Sequence, residues 1–181
     1  MKKVQHIILA AIAAVSVSTS AMAGEHTIVG GLSKTSIDSA PKDLYGVNVK
    51  YRYEGGSRLG LIATGTINAN STDELVAQNG KLTTKKETTY GYGSFSLGPV
   101  YRLNSVLSAY STVGYADYFV EVNDKAKNTK YKTRDEEMFS ASLGMQANIT
   151  THLVLDASYE YVPFSGDNDA GTFSLGLGYR F

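Results

Sequence analysis

Basic residues in two polar stretches carry the chemistry that this sequence supports best, which is the binding of anions. The first stretch contains Lys81, Lys85 and Lys86, and the second contains Lys125, Lys127, Lys130, Tyr131, Lys132 and Arg134. Such clusters attract sulfates, phosphates and acidic protein segments with an affinity that falls as salt rises. The alternative is that they only keep polar loops solvated, since Asp124, Asp135, Glu136 and Glu137 partly cancel their field.

Catalysis has little support, because a nucleophile needs a base and an orienting group within hydrogen-bond reach. The chain has no Cys and only three His. His6 lies in the leader described below, and we expect His26 and His152 to be solvated turn residues. The run 167–169 lacks the later Glu of a calcium loop. We therefore expect no enzymatic activity, no cofactor and no metal.

The first residues have the pattern of a secretory signal peptide. Lys2 and Lys3 precede an apolar stretch at 7–17, and Ala21-Met22-Ala23 forms a small-x-small cleavage site. We expect cleavage of residues 1–23, which leaves 24–181 as one domain. The 17 basic and 17 acidic side chains balance, so no global charge draws the chain to nucleic acid.

Alternation of apolar and polar residues predicts strands as the only regular element. Between 45 and 54, Tyr45, Val47, Val49, Tyr51 and Tyr53 share one face, and polar residues and Gly46 occupy the other. Clear or weaker alternation covers 26–33, 45–54, 58–68, 90–103, 106–122, 139–149, 153–161 and 172–181. In the fifth segment, Tyr110 could point either way. An even number of strands suits an antiparallel barrel.

The connections between these segments alternate in length. Short turns are predicted at 55–57, 104–105 and 150–152, and long polar loops at 34–43, 69–88, 123–136 and 163–170. Outer-membrane barrels have short periplasmic turns and long extracellular loops. On that pattern both termini lie in the periplasm and the basic stretches lie outside the cell.

A soluble ligand-binding barrel would also alternate, with its apolar face inward. Three features favour a transmembrane barrel: strands long enough to cross a bilayer, Tyr and Phe near strand ends, and a polar face that mixes Gly and Ser with charges. An eight-stranded barrel encloses room only for side chains. We therefore expect the charged residues to pair inside and to plug the lumen; they are Lys50, Arg52, Glu54, Arg102, Asp156, Glu160 and Arg180.

Several stretches resemble the Ail/OmpX/PagC/Lom family of enterobacterial outer-membrane proteins over nearly the whole mature chain. The most specific are 48–54 (NVKYRYE), 98–104 (GPVYRLN), 155–161 (LDASYEY) and 176–181 (GLGYRF). The resemblance implies an eight-stranded barrel without an open channel. Tyr179 and Phe181 look like the signal read by the barrel-assembly machinery.

The same resemblance implies adhesion to host cells or matrix, invasion and complement resistance, which family members share unevenly. The partners that it suggests are lipopolysaccharide and host matrix, glycan or complement-regulatory proteins, bound by a monomer. The chain departs from the family chiefly in its loops. A structural barrel that supports the envelope without a host ligand is therefore the alternative function.

Overall fold

The computed structural model describes the backbone of residues 24–38, 40, 42–78, 81–124, 129–164 and 168–181, and all of their side chains except those of 73–86, 124, 129–136, 164 and 168. These residues form eight strands: β1 (Glu25–Ile37), β2 (Leu44–Glu54), β3 (Leu59–Gln78), β4 (Lys81–Arg102), β5 (Leu107–Asp124), β6 (Thr129–Asn148), β7 (Leu153–Phe164) and β8 (Asn168–Arg180). In the described part of the chain, no helix is long and apolar enough to span a bilayer.

The strands close into an antiparallel barrel in sequence order, which confirms the predicted fold class. β1 closes the ring, because Thr27 pairs with Arg52 of β2 and with Arg180 of β8. Closure gives every strand two neighbours, so the backbone N–H and C=O groups are satisfied without water.

The apolar side chains point outward and the charged ones inward. Leu32 is 75% exposed and Leu143 70%, whereas Lys50 is 2% and Arg52 1% exposed. This is the reverse of a soluble barrel, whose apolar face lines the interior. An outer wall of this composition needs lipid around it, as the strand length, the aromatic residues near strand ends and the charged polar face predicted.

Three short connections lie at the barrel end where β1 begins and β8 ends. They comprise 55–58, 103–106 and 149–152, close to the predicted turns. Gly56 adopts φ 81°, a left-handed conformation that favours glycine. The Asn104 side chain accepts the amide N–H groups of Val106 and Leu107, and the Thr150 hydroxyl accepts those of His152 and Leu153. Local side-chain caps therefore set these turns.

The opposite end is uneven, because half of the wall is taller than the rest. β3 to β6 have 18 to 22 residues each, whereas the other strands have 11 to 13. β2 pairs with β3 only as far as Ala69, and β7 pairs with β6 only as far as Ala141. Beyond those points β3 to β6 form a four-stranded sheet that rises above the rim. We call it the tall sheet.

The prediction of long loops at 69–88 and 123–136 is therefore wrong. β3 and β4 stay paired to Gln78 and Lys81, and β5 and β6 to Asp124 and Thr129. Above the lipid a sheet needs no apolar outer face, so the alternation of apolar and polar residues disappears. The strands nevertheless continue, because their backbones stay paired and Thr residues favour the β conformation. The predicted loops at 34–43 and 163–170 also shorten, because β1 runs to Ile37 and β7 to Phe164.

Candidate functional site

A network of ion pairs occupies the lumen at the short-turn end. Arg52 and Glu54, both 1% exposed, follow each other on the inner face of β2, and Arg52 Nη2 lies 2.5 Å from Glu54 Oε2. Arg102 Nη2 reaches the same carboxylate oxygen at 2.7 Å. Glu54 is thus shared between two guanidinium groups, which offsets the desolvation of each charge.

Glu25 extends this network to the mouth of the barrel. Its carboxylate pairs with Arg102 and lies 3.4 Å from Nη1 of Arg180. Sequence reasoning missed Glu25, although it shares the inner face of β1 with Thr27 and could have been assigned from that two-residue spacing. Arg102 and Arg180 keep 27% and 20% of their side chains exposed, so they line the mouth.

A second charged layer lies deeper in the lumen. Lys50 pairs with Asp156 and donates to the Ser158 hydroxyl at 2.7 Å. The other Asp156 oxygen accepts the Tyr110 hydroxyl at 2.9 Å and the Gln146 amide at 3.1 Å. Tyr110, whose direction the sequence left open, therefore points inward.

Hydroxyl groups continue the filling across the middle of the barrel. Four consecutive strands each contribute one hydroxyl group, from Thr64, Ser96, Thr112 and Ser142. The hydroxyl oxygen of Ser96 lies 2.8 Å from those of both Thr64 and Thr112, and the oxygens of Thr112 and Ser142 are 2.5 Å apart. This ladder ties β3 to β6 through side chains as well as through the backbone. It is the part of the lumen that small Ser and Thr residues on the polar face predicted.

Glu160 stands apart from the ion pairs. Its carboxylate accepts the Tyr92 hydroxyl at 3.0 Å and the Ser94 hydroxyl at 2.8 Å. We expected Glu160 to meet a lysine or arginine, but among the described residues its hydrogen bonds come from these hydroxyl groups. The reason is its height in the barrel, since the lumen just above it is apolar.

An apolar cluster closes the lumen at the tall end. It consists of Ile37, Leu44, Tyr92, Ala116, Tyr118, Val162 and Ala170, all at most 6% exposed. The prediction of a lumen plugged by paired charges did not include this cluster, which forms because the inner faces of β1, β2, β7 and β8 carry aliphatic residues at this end. Buried side chains therefore fill the lumen both here and at the ion pairs below.

The anion-binding candidates lie on the tall sheet rather than in loops. Lys81, Lys85 and Lys86 open β4, while Lys130, Tyr131, Lys132 and Arg134 lie near the start of β6. Lys125 and Lys127 lie outside the described residues. β4 and β6 flank β5, and the register places Lys86 across β5 from Thr129, beside Lys130, two strand spacings or about 10 Å away. Lys81 lies five residues farther along β4, beyond its pairing with β5. Basic and acidic residues also lie opposite each other on neighbouring strands, as Lys132 of β6 does with Glu121 of β5.

His26 and His152 lie at the short-turn end. His26 is 7% exposed, so the expectation of a solvated turn residue is wrong for it. Its backbone pairs with Phe181, its ring stacks on the Phe181 ring at 5.7 Å, and its Nδ1 lies 2.7 Å from the Tyr51 hydroxyl. His152 is exposed in its turn and stacks on Tyr179 at 5.5 Å. Within the described ranges, no three His, Cys, Asp or Glu side chains are grouped as a metal site would require.

Comparison with protein families gives one match that covers almost the whole chain. The model of the outer membrane protein beta-barrel domain matches residues 7–181. Outer membrane protein X of Enterobacter cloacae is 33% identical over 183 residues, which is 100% of both chains. The virulence membrane protein PagC of Salmonella typhimurium is 31% identical over 158 residues, which is 77% of this chain and 78% of PagC.

Comparison with solved structures leads to the same group of proteins. The crystal structure of Ail, the attachment invasion locus protein of Yersinia pestis, superposes with a TM-score of 0.78 at 28% identity. The match covers 87% of this chain and 99% of that structure. In that crystal, Ail is in complex with the heparin analogue sucrose octasulfate.

Proposed function

Since this chain belongs to the Ail/OmpX/PagC family of outer-membrane β-barrel proteins, we propose that it is a surface adhesin that binds host cells or matrix through its tall sheet. In this proposal the tall sheet projects outside the cell, and the short turns and both termini face the periplasm. Invasion and complement resistance would be consequences of that surface contact.

The height of β3 to β6 is the observation that carries the proposal. A sheet that rises above the rim on one side presents its strands to ligands beyond the membrane surface. The basic positions of β4 and β6 lie at the hairpin end of this sheet, where an external ligand arrives first. A binding surface there needs no opening through the filled lumen.

The ligand class that fits best is a sulfated glycan. Clustered lysines and arginines bind sulfate through charge-assisted hydrogen bonds. The relative Ail forms a complex with a heparin analogue, which is a polysulfated sugar. We therefore propose heparin-like chains of the host matrix as the first ligand to test.

The experiment compares laboratory cells that express the intact protein with cells that express a variant in which Lys125, Lys127, Lys130 and Lys132 are all replaced by Ser. We expect the Ser variant to bind less to immobilised heparin and to cultured host cells. Because the contacts are electrostatic, the difference should shrink as salt rises.

Two controls isolate the charge of the tall sheet. Replacing the same four lysines by Arg keeps the charge and should retain binding. Lys42→Ser removes an exposed lysine from the low side of the rim, between β1 and β2, and should have no effect. Equal heparin binding by the intact protein and the Ser variant at low salt would contradict the proposal.

The filled lumen favours a second candidate function, a structural barrel that supports the outer membrane. The ion pair of Lys50 and Asp156 joins β2 to β7 across the lumen, and the hydroxyl ladder joins the consecutive strands β3 to β6. Such internal contacts suit a barrel that serves to stabilise the membrane. Under this alternative, loss of the protein raises detergent sensitivity while adhesion stays normal. The two measurements on one deletion strain distinguish the candidates.

Assembly by the barrel-assembly machinery is the remaining part of the proposal. Tyr179 is 58% and Phe181 49% exposed on the outer face at the seam with β1. An exposed aromatic pair on the closing strand suits recognition before the barrel closes. Phe181→Ala should lower the amount of folded protein in the outer membrane, and unchanged amounts would exclude this role.

A further inference from the structure

Three arginines lie around the opening of the barrel at the short-turn end. Arg102 and Arg180 are on the inner faces of β4 and β8, and they keep 27% and 20% of their side chains exposed. Arg58 is exposed in the connection between β2 and β3, and its carbonyl oxygen accepts the backbone N–H of Arg102 at 2.8 Å. The three residues therefore belong to one surface, which we call the basic mouth.

The side chains at this end carry an excess of positive charge. In the described part of the chain, the charged side chains there are Arg52, Arg58, Arg102, Arg180, Glu25 and Glu54. Glu54 is buried between Arg52 and Arg102, so the carboxylate that an approaching ligand meets is Glu25, whose side chain is 44% exposed. An excess of one charge raises the local concentration of oppositely charged ligands. The basic mouth therefore attracts anions.

The guanidinium groups of Arg102 and Arg180 are held close together. Arg102 Nη2 pairs with Glu25 Oε2, and Arg180 Nη1 lies 3.4 Å from the same oxygen. Arg180 Nε also donates to the backbone carbonyl of Thr151 at 3.0 Å, which fixes the direction of its guanidinium group. Two neighbouring guanidinium groups in fixed positions suit a planar carboxylate, which accepts two hydrogen bonds at once.

The inner face of the mouth also offers a hydrogen-bond acceptor. Asn148 of β6 lies two residues nearer the mouth than Gln146, so both side chains point inward. The Asn148 side chain is 8% exposed, and its amide donates to the Ser105 carbonyl at 3.3 Å. Its side-chain oxygen is buried without a hydrogen-bond partner among the described residues, which is unfavourable until a donor arrives. A ligand that satisfies the whole mouth therefore carries N–H groups as well as negative charge.

A peptide with free carboxylates meets both requirements, whereas phosphate and sulfate lack N–H donors. The orientation proposed above places the basic mouth in the periplasm, where the polymer next to the outer membrane is peptidoglycan. Its peptide stems carry free carboxylates and amide N–H groups. Lipid headgroups reach the outer wall of the barrel, but Arg102 and Arg180 lie on inner faces and are approached along the barrel axis.

We propose that the basic mouth binds the peptide stems of peptidoglycan through their carboxylates. The exposed sides of Arg102 and Arg180 bind one carboxylate, Arg58 attracts the approaching stem, and the Asn148 oxygen accepts a peptide N–H. This inference rests on the orientation given under the proposed function, with the short turns in the periplasm. It adds a contact with the cell wall to the external contact of the tall sheet.

The test is cosedimentation of the protein, folded in detergent micelles, with purified sacculi that are free of protein. One variant, Arg58→Ser with Arg180→Ser, removes two charges, and a second has Lys at both positions. Arg58→Ser alone changes an exposed turn and leaves the lumen network intact. The matched control, Lys34→Ser with Lys42→Ser, removes two exposed charges from the opposite end of the barrel. In a second batch of sacculi the carboxylates are converted to amides, while the glycan strands stay unchanged.

We expect the double Ser variant to bind native sacculi about tenfold more weakly than the intact protein, because it loses two partly exposed charge contacts. Arg58→Ser alone should weaken binding severalfold. The double Lys variant should keep most of the binding, and the control with Ser at 34 and 42 should keep all of it. Amidated sacculi should bind the intact protein at least tenfold more weakly than native sacculi do.

Three results would overturn the inference. The first is equal binding of native sacculi at low salt by the intact protein and the variants of Arg58 and Arg180. The second is undiminished binding to amidated sacculi, which would assign recognition to the glycan. The third is displacement of the sacculi by phosphatidylglycerol added to the micelles, which would make the mouth a phosphate site.

The same variants separate this inference from the adhesin proposal. Cells that express the double Ser variant should bind heparin as cells with the intact protein do, because the tall sheet is unchanged. Loss of heparin binding by these cells would mean that the basic mouth faces outward, which would refute the orientation on which the inference rests. Normal heparin binding without any binding of sacculi would refute the inference alone.

Discussion

Glu54 should be the most costly charged residue to remove from the lumen. Its carboxylate holds Arg52 at 2.5 Å and Arg102 at 2.7 Å. In Glu54→Ala, Arg52 stays 1% exposed and retains only neutral acceptors, Gln146 at 2.9 Å and Ser108 at 3.0 Å. A buried guanidinium then lacks a counter-charge.

The size of the effect follows from burial. Removing one partner of a buried ion pair costs about 3–5 kcal/mol, because the other charge stays desolvated. Arg102→Ala should cost about 1 kcal/mol or less, since Arg102 keeps 27% of its side chain exposed and Glu54 still has Arg52. Once Arg52 is replaced by Met, Glu54→Ala should cost only about 1 kcal/mol, so the coupling energy between Arg52 and Glu54 should be about 2–4 kcal/mol.

Urea unfolding of the intact protein, the three single variants and the double variant in detergent micelles measures these differences. The chain has no Trp, so circular dichroism of the β-sheet is the suitable probe, with heat-modifiable migration on gels as a second readout. If Glu54→Ala costs no more than Arg102→Ala, the buried pair does not govern stability in the lumen, and water must reach Arg52.

Two further pairs of substitutions test the upper lumen and the barrel wall. Tyr92→Phe should lower the free energy of unfolding by about 2 kcal/mol in the same assay, because Glu160 loses a buried hydrogen bond of 3.0 Å. Its control is Tyr45→Phe, at a 60% exposed position, which should change the free energy of unfolding by less than about 0.5 kcal/mol. Gly46→Ala should destabilise the barrel, because its Cβ would lie 1.9 Å from a backbone carbonyl oxygen of β3, whereas Gly30→Ala has open space and should be neutral. Equal effects within either pair would contradict the contacts assigned here.

The transmembrane part of the fold is predictable because lipid imposes one rule on every strand. Residues such as Val47 and Leu175 alternate with polar neighbours, so their shared face follows from spacing. The strand length, the aromatic residues near strand ends and the charges of the other face then assign the apolar face to lipid. The family motifs point to the same barrel independently. Strand number, antiparallel order and the short turns were therefore accessible from the sequence.

Above the membrane that rule no longer applies, and the sequence signal weakens. The segments around Thr83 and Lys132 are polar on both sides, which resembles a loop although their backbones pair as strands. The apolar cluster was missed for a related reason: Ile37 and Val162 lie on inner faces just beyond the recognised alternation. Glu25 was missed because it lies one residue before the recognised alternation, which begins at residue 26.

The uneven rim decides where a soluble ligand can meet this small barrel. Such a ligand must reach past the surrounding lipid headgroups, and among the described strands β3 to β6 extend farthest beyond the rim. The remaining strands end closer to the rim, and exposed Lys42 lies there between β1 and β2. Replacing Lys132 should therefore weaken heparin binding and replacing Lys42 should not, and an equal loss in both variants would indicate general misfolding instead.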